Sequence, residues 1–407
     1  MADDNTQNII NFLGKAFDKA IEDAWRGDAS HTIVDPSANH EACHVARFVY
    51  GVPEPMVDAI KQIPGVQGVS VEGMFCHTKP YAFWDRKAAA NGVERRELAD
   101  LMVEVEIVSR SGSASRAVLV QTKMKKASNW VAPMTISASA LAEEQRELYS
   151  CLPPFCLELD KRPTADEVRK AKRTVATYPG LTVYNLGGKS GLPSTKPAGL
   201  VYAVIKGDTP RVSGQRLPWL VEDGRPPLPA TTAPFAVPPG VFSLGFGQAL
   251  ASMVVEGRVG RVPAIGVRSD GCLGVPSSWK LLIDDLKAFA RQRIRDSTWQ
   301  STKDPNKKKL LDIRIVPSVG KAASKTLLNR ATFTVSNGQV VALTKCVRSP
   351  RWLPESAWRD SFDTIAGGEW LDNGGANNED LRNFEALIPE GGFGFLKIRI
   401  EVSDDLR

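Results

Sequence analysis

Apolar residues recur along the start of the chain at helical spacing. Ile9, Ile10, Leu13, Phe17, Ile21 and Trp25 fall on one stripe between Thr6 and Trp25, and Gly27 closes the segment. The spacing predicts an amphipathic opening helix. A second helix is signalled by Ser37 as N-cap, then Glu41, Val45, Ala46, Phe48 and Val49 before Gly51; a third starts at Pro55 and stops before Pro64. The period then changes. GVQGVSVEGMF, LADLMVEVEIV and RAVLVQTKM are rich in Val, Ile and Leu, and SRSGSAS between the last two reads as a hairpin loop. Three strands in succession follow from this. Helical spacing returns between Ile136 and Tyr149, and the prolines of CLPPFCLEL end it.

Two further strand-like runs, LTVYNLG and GLVYAVI, extend this unit to residue 206. The Pro-rich stretch LPWLVEDGRPPLPATTAPFAVPPG over 217–240 then reads as a linker or a long ordered loop. Beyond it lie two helices, Phe246 to Glu256 and Ser277 to Ile294, the second with Leu281, Leu282, Leu286 and Phe289 at core spacing, and a last strand, GFLKIRIEV. The expected division is an N-terminal helix over 1–36, an α/β unit over 37–206, a linker or loop over 207–240 and an α+β region over 241–407. The glycines of VFSLGFGQALASMVVEGRVG form neither a P-loop nor a dinucleotide fingerprint. Target recognition, assembly with a second copy or another protein, and regulation all stay open for this last region.

Composition narrows the class. The 407 residues are 43% hydrophobic and 24% charged, and no run reaches the roughly 18 apolar residues of a membrane helix. MADDNTQNII does not read as a secretory signal, so a cytoplasmic protein without a membrane partner is expected. Cys43, Cys76, Cys151, Cys156, Cys272 and Cys346 are scattered with no C-x-x-C pair, which predicts reduced, mostly buried thiols. A net charge of +6 and a pI near 8.9 are compatible with a polyanionic partner without requiring one.

The candidate chemistry lies between Asp100 and Lys123. AVLV reads as a strand buried on both faces, and Gln121 and Lys123, two apart at its polar end, share a face. Asp100 opens the preceding strand. If the hairpin turns at Gly112, Asp100 lies opposite the region of Met124, close to Lys123. Phosphodiester cleavage needs a hard divalent cation held by oxygen ligands, which Asp100 and Gln121 supply, and an ammonium to orient water or stabilise charge, which Lys123 supplies. Asp100 also shares strand parity with Glu104 and Glu106, opposite Leu101, Val103, Val105 and Ile107, which equally describes a solvated strand face.

The pattern of Asp100 followed one strand later by VLVQTK resembles the PD-(D/E)XK nuclease superfamily, in the variant where Gln replaces the usual acid, as in Mrr-type restriction endonucleases. The resemblance covers residues 38 to 160. It implies an α/β fold with an N-terminal restriction-endonuclease-like mixed sheet flanked by helices, here joined to the C-terminal α+β region. It further implies a Mg2+- or Mn2+-dependent endonuclease acting on DNA in restriction, repair or antiviral defence. Asp100, Gln121 and Lys123 take the catalytic positions, and Glu41 matches an acidic residue on the first helix that often completes such a site. Glu72 on the first strand is a candidate further metal ligand. Lys125, Lys126 and Trp130 are candidates for phosphate contact and base stacking, as are Lys303 to Lys309 with Trp299.

Two rival functions carry weight. A protein that keeps this fold without cleavage would bind nucleic acid or assemble on it, and the neutral Gln121 allows that. His40, Glu41 and His44 spell H-E-x-x-H, which in a zinc metallopeptidase places two imidazoles on successive helical turns with the glutamate as general base. Cys43, Cys76 and His77 are the soft ligands that a structural zinc would recruit beside them.

Overall fold

The computed structural model describes residues 2–26, 40–76, 79–86, 92–125, 134–136, 143–158, 164, 166–168, 182–186, 199–207, 217–222, 240–255, 265–267, 273–276, 278–302, 313–315, 328–336, 339–349 and 392–403. Among them are the helices α1 (Ala2–Arg26), α2 (Glu41–Gly51), α3 (Pro53–Ile60), α4 (Glu143–Cys151), α5 (Phe246–Val255) and α6 (Ser278–Thr302). The strands are β1 (Val66–Cys76), β2 (Tyr81–Asp85), β3 (Val93–Glu97), β4 (Leu101–Ser109), β5 (Gly112–Lys125), β6 (Met134–Ile136), β7 (Phe155–Leu157), β8 (Val183–Tyr184) and β9 (Leu200–Lys206). They continue with β10 (Trp219–Glu222), β11 (Gly240–Gly245), β12 (Ile265–Val267), β13 (Leu273–Pro276), β14 (Ile313–Ile315), β15 (Leu328–Ser336), β16 (Gln339–Arg348) and β17 (Phe393–Val402). No helix among the described residues is long and apolar enough to cross a membrane.

The fold is mixed α/β around an 11-stranded sheet in the order β14-β15-β16-β1-β17-β4-β5-β9-β10-β11-β6. β17 pairs antiparallel with β1 and parallel with β4, β4 and β5 form an antiparallel hairpin, and β9 adds parallel to β5. Of the three strands read in succession from the sequence, the second and third pair as expected and the first does not join them. β17, from the far end of the chain, stands between the first and the second. The sheet takes strands from both sides of the expected division at 206 and 241, and the expected linker contributes β10 to it. A smaller sheet, β3-β2-β7-β8, carries a strand pair at 81–97 that the periodicity did not suggest.

Period-two alternation in β4 and β17 divides the core between the two faces of the large sheet. Leu101, Val103, Val105, Leu396, Ile398 and Ile400 join α1, α2, α3 and α5 on one side. Met102, Leu119, Tyr202, Phe393 and Phe395 join α4, α6 and the small sheet on the other. α1 buries Ile10, Leu13, Phe17, Ile21 and Trp25, the stripe that predicted it, and α6 buries Leu282, Leu286 and Phe289. The second side is where the alternation misleads. Asp100 and Glu104 are buried at 2% and 5% exposure rather than facing solvent, because α4 and α6 cover them.

α2 starts at Glu41, with His40 rather than Ser37 as its N-cap, and lies against the sheet over two glycines. A Cβ at Gly73 would stand 1.7 Å from the Val49 carbonyl oxygen, and one at Gly394 would stand 2.6 Å from Val45 Cγ1. Without them the helix could not sit at this depth. Cys43, Cys76, Cys151, Cys156 and Cys346 are free and buried, as expected, and Cys272 lies outside the described residues.

Candidate active site

The β4–β5 hairpin turns through Arg110 and Ser111, with Ser109 paired to Gly112. Gly112 has φ of +140°, a conformation open to glycine, and so opens β5 instead of forming the middle of the turn. That shifts the register. Leu101 pairs with Val120, and the Asp100 N–H donates to the Val120 carbonyl at 3.0 Å, so Asp100 lies opposite Gln121 and not opposite Met124 as the sequence suggested.

Asp100 is held by its neighbours on β5. Its Oδ2 accepts from the Thr122 N–H at 2.7 Å, from Thr122 Oγ1 at 2.9 Å and from Gln121 Nε2. Lys79 Nζ stands 3.7 Å from Oδ1 and 2.7 Å from Glu97 Oε2. Burial pushes the Asp100 carboxyl up to about 6, with Glu41 reinforcing the rise and Lys79, Lys123 and the Thr122 N–H opposing it.

Gln121 bridges Asp100 to α4. Its Oε1 accepts from Gln145 Nε2 at 2.6 Å, and the same Nε2 donates to the Glu97 carbonyl at 3.2 Å. One turn along α4, the Tyr149 hydroxyl donates to the Leu98 carbonyl. Gln145 and Tyr149 thus grip the segment that ends in Asp100. Glu41, the first residue of α2, closes the other side: its Oε1 accepts from the Met124 N–H at 3.1 Å and its Oε2 lies 4.0 Å from Lys123 Nζ. Lys123 and Glu41 keep side-chain exposures of 27% and 32% and form the mouth of the site.

The structure thus brings together Asp100, Gln121, Lys123 and Glu41. It places Glu72 elsewhere. Glu72 has the right parity but sits on β1, two strands from β4 and in register with Lys397 and through it Glu104, where it takes an ion pair from Arg348 at 3.8 Å. Lys125 ends β5 beside Lys206 of β9. Lys126, Trp130 and Lys303 to Lys309 lie outside the described residues, as does the side chain of Trp299. The reading of Lys79, Thr122 and Gln145 as site residues comes from the structure alone. Thr122 stands in the VLVQTK run without a role read for it, and Gln145 left a trace as a polar residue on a helix face that had to be buried.

The H-E-x-x-H residues do not converge. His40 has extended φ and ψ and caps the helix, its ring accepting from the Cys43 N–H at 3.4 Å with Nε2 2.9 Å from Cys43 Sγ. Its carbonyl accepts from the His44 N–H at 3.2 Å one turn on, but its ring is engaged by Cys43. His44 is buried beside Arg47, and desolvation first, with Arg47 and His40 adding, lowers its pKa to about 3. Cys43 and Cys76 belong to cores on opposite sides of the sheet, and His77 lies outside the described residues.

Among the described residues no group of three or more His, Cys, Asp or Glu side chains is placed to hold a metal ion. The candidate site offers a different donor set: the carboxylates of Asp100 and Glu41 and the amide of Gln121, all hard oxygen donors of the kind Mg2+ and Mn2+ take. The Gln121 amide presents its nitrogen to Asp100, and its oxygen is taken by Gln145. Neither models of protein families, nor curated proteins, nor solved structures match this chain.

Proposed function

We propose that the chain is a metal-dependent nuclease that hydrolyses DNA phosphodiester bonds. The observation that carries this reading is the meeting of Asp100, Gln121, Lys123 and Glu41 at the adjacent ends of β4, β5 and α2, with Asp100 bonded to Gln121 and Glu41 4.0 Å from Lys123. Asp100, Glu41 and the oxygen of the Gln121 amide are the groups that would hold Mg2+ or Mn2+. The ion, when bound, polarises the scissile phosphate and acidifies a water. Lys123, at the exposed mouth, orients that water or stabilises charge on the phosphate. Gln145 fixes the Gln121 amide, and Glu41 fixes the end of β5 through the Met124 N–H. Foreign DNA as the target, and so a role in defence, rests on the family resemblance alone.

A second reading is favoured by one observation. Three donors from Gln121 and Thr122 already address Asp100 Oδ2, and Lys79 faces Oδ1 at 3.7 Å, so both oxygens of the carboxylate already have partners within the protein. That is what a binding protein without cleavage would show.

Incubation of the purified protein with plasmid and linear DNA in Mg2+, Mn2+ or EDTA separates the two. Metal-dependent cleavage that Lys123→Ala abolishes is the expected result. Cleavage untouched by that substitution would sink the assignment, and DNA retention on a gel without cleavage would select the binding protein.

A further inference from the structure

Lys79 enters the candidate site from the segment before β2, where the Pro80 carbonyl accepts from the Leu98 N–H at 2.7 Å and ties that segment to the residues leading into Asp100. Its ammonium lies 2.7 Å from Glu97 Oε2 and 3.7 Å from Asp100 Oδ1, with the side chain only 16% exposed. The three donors that reach Asp100 from Gln121 and Thr122 all address Oδ2, and Oδ1 is the oxygen turned to Lys79. A lysine ammonium has three N–H donors and no lone pair. It serves neither as a base nor as a metal ligand there. It is a monovalent cation seated on the carboxylate that a divalent cation would need.

We propose that Lys79 is the resident counter-ion of this site, paired with Asp100 and Glu97 until a divalent cation loads, and that loading requires its ammonium to leave Asp100. The inference rests on the nuclease reading of the site. Two cations on one buried carboxylate repel strongly at this separation, because little water lies between them to screen the charge. Lys79 therefore sets a threshold of metal concentration below which Asp100 stays paired within the chain.

The test is calorimetric titration of Mn2+ alone into full-length, EDTA-stripped wild type, Lys79→Met and Lys79→Gln. Both variants should bind one Mn2+ at least about tenfold more tightly than wild type, as removal of a nearby positive charge requires, and adding Asp100→Asn should erase the gain. Equal or weaker Mn2+ binding by the variants overturns the proposal. So does loss of fold in both variants, read by circular dichroism, which would make Lys79 a structural ion-pair partner. Plasmid cleavage by wild type keeps the two readings apart. If wild type cleaves with Mn2+ but neither variant binds more tightly, the nuclease reading stands and the counter-ion role falls. If no protein binds Mn2+ or cleaves, both fall.

Discussion

Gln121 Nε2 donates to Asp100 Oδ2 across the open end of the β4–β5 hairpin, where the two residues face each other. This bond fixes the site in one amide orientation. Turning the Gln121 oxygen towards a cation requires the Gln145 amide to turn with it, because Gln145 Nε2 now donates to that oxygen and to the Glu97 carbonyl. Two glutamines on different elements are thus coupled to a single carboxylate.

The coupling makes Gln145 the positioning residue to remove. Gln145→Ala should lower the rate of plasmid cleavage by about 10- to 100-fold, the usual cost of losing support behind a metal-binding group. Its melting temperature should stay within a few degrees of wild type. An undiminished rate would show that Gln121 needs no support from α4.

Asp100 should report on pH in two opposite ways. Burial raises its carboxyl from 3.8 to about 6, so the folded chain holds this proton more tightly than the unfolded chain does. Its contribution to stability is then full below the unfolded value and is lost as pH rises through the folded one. Asp100→Asn should accordingly melt above wild type at neutral pH, by roughly 3 kcal/mol of stability, with the gap closing towards pH 4. Cleavage needs the ionised form, so wild-type activity should rise between pH 5 and 7, and the variant should have none. Thermal melts and initial rates across that range measure both. A variant less stable than wild type at neutral pH would mean that the Lys79 contact outweighs the cost of burial.

Gly73 should tolerate no side chain. A Cβ there meets the backbone oxygen of Val49 rather than a movable side chain, so α2 would have to lift off the sheet and carry Glu41 away from Lys123. Gly73→Ala should cost about 3 kcal/mol or more and abolish cleavage, read by denaturant unfolding and by the plasmid assay. Wild-type stability would show that the helix can withdraw freely.

A chain ending at residue 206 should not fold. It would retain β4 and β5 but lose β17, whose Phe393, Phe395, Leu396, Ile398 and Ile400 fill both cores between β1 and β4. Expression of 1–206 should give insoluble or unfolded protein by circular dichroism. A soluble, cooperatively melting fragment would instead support the boundary that the Pro-rich stretch suggested.

Much of the local structure was legible because periodicity is a local signal. The stripe from Ile10 to Trp25, the buried run Ala117 to Val120 and the α6 positions Leu282, Leu286 and Phe289 are all core residues. The pairing of Asp100 with the Gln121–Lys123 end of β5 is legible in kind but not in register, because the sequence points to Gly112 as the turn and its positive φ instead opens the strand. Glu72 shows the limit of parity. It lies on the correct face, and no rule of alternation says that another strand stands between it and Asp100. The position of β17 was invisible for the same reason, since pairing between distant segments leaves no pattern in either one. Lys79 could not be read at all, because its role depends on how the Pro80 segment is tied to Leu98.

The insertion of β17 between β1 and β4 also orders events in time. During synthesis β1, β4 and β5 emerge long before residues 393–402 are made, and until then the facing edges of β1 and β4 have no partner. Such edges invite pairing with other chains, so the nascent protein depends on protection that the finished one does not need. On the proposed reading the same delay is a safeguard: β4, which follows directly on Asp100, has no partner on its β17 side until residues 393–402 are made, and chains stalled before that point would carry no working site.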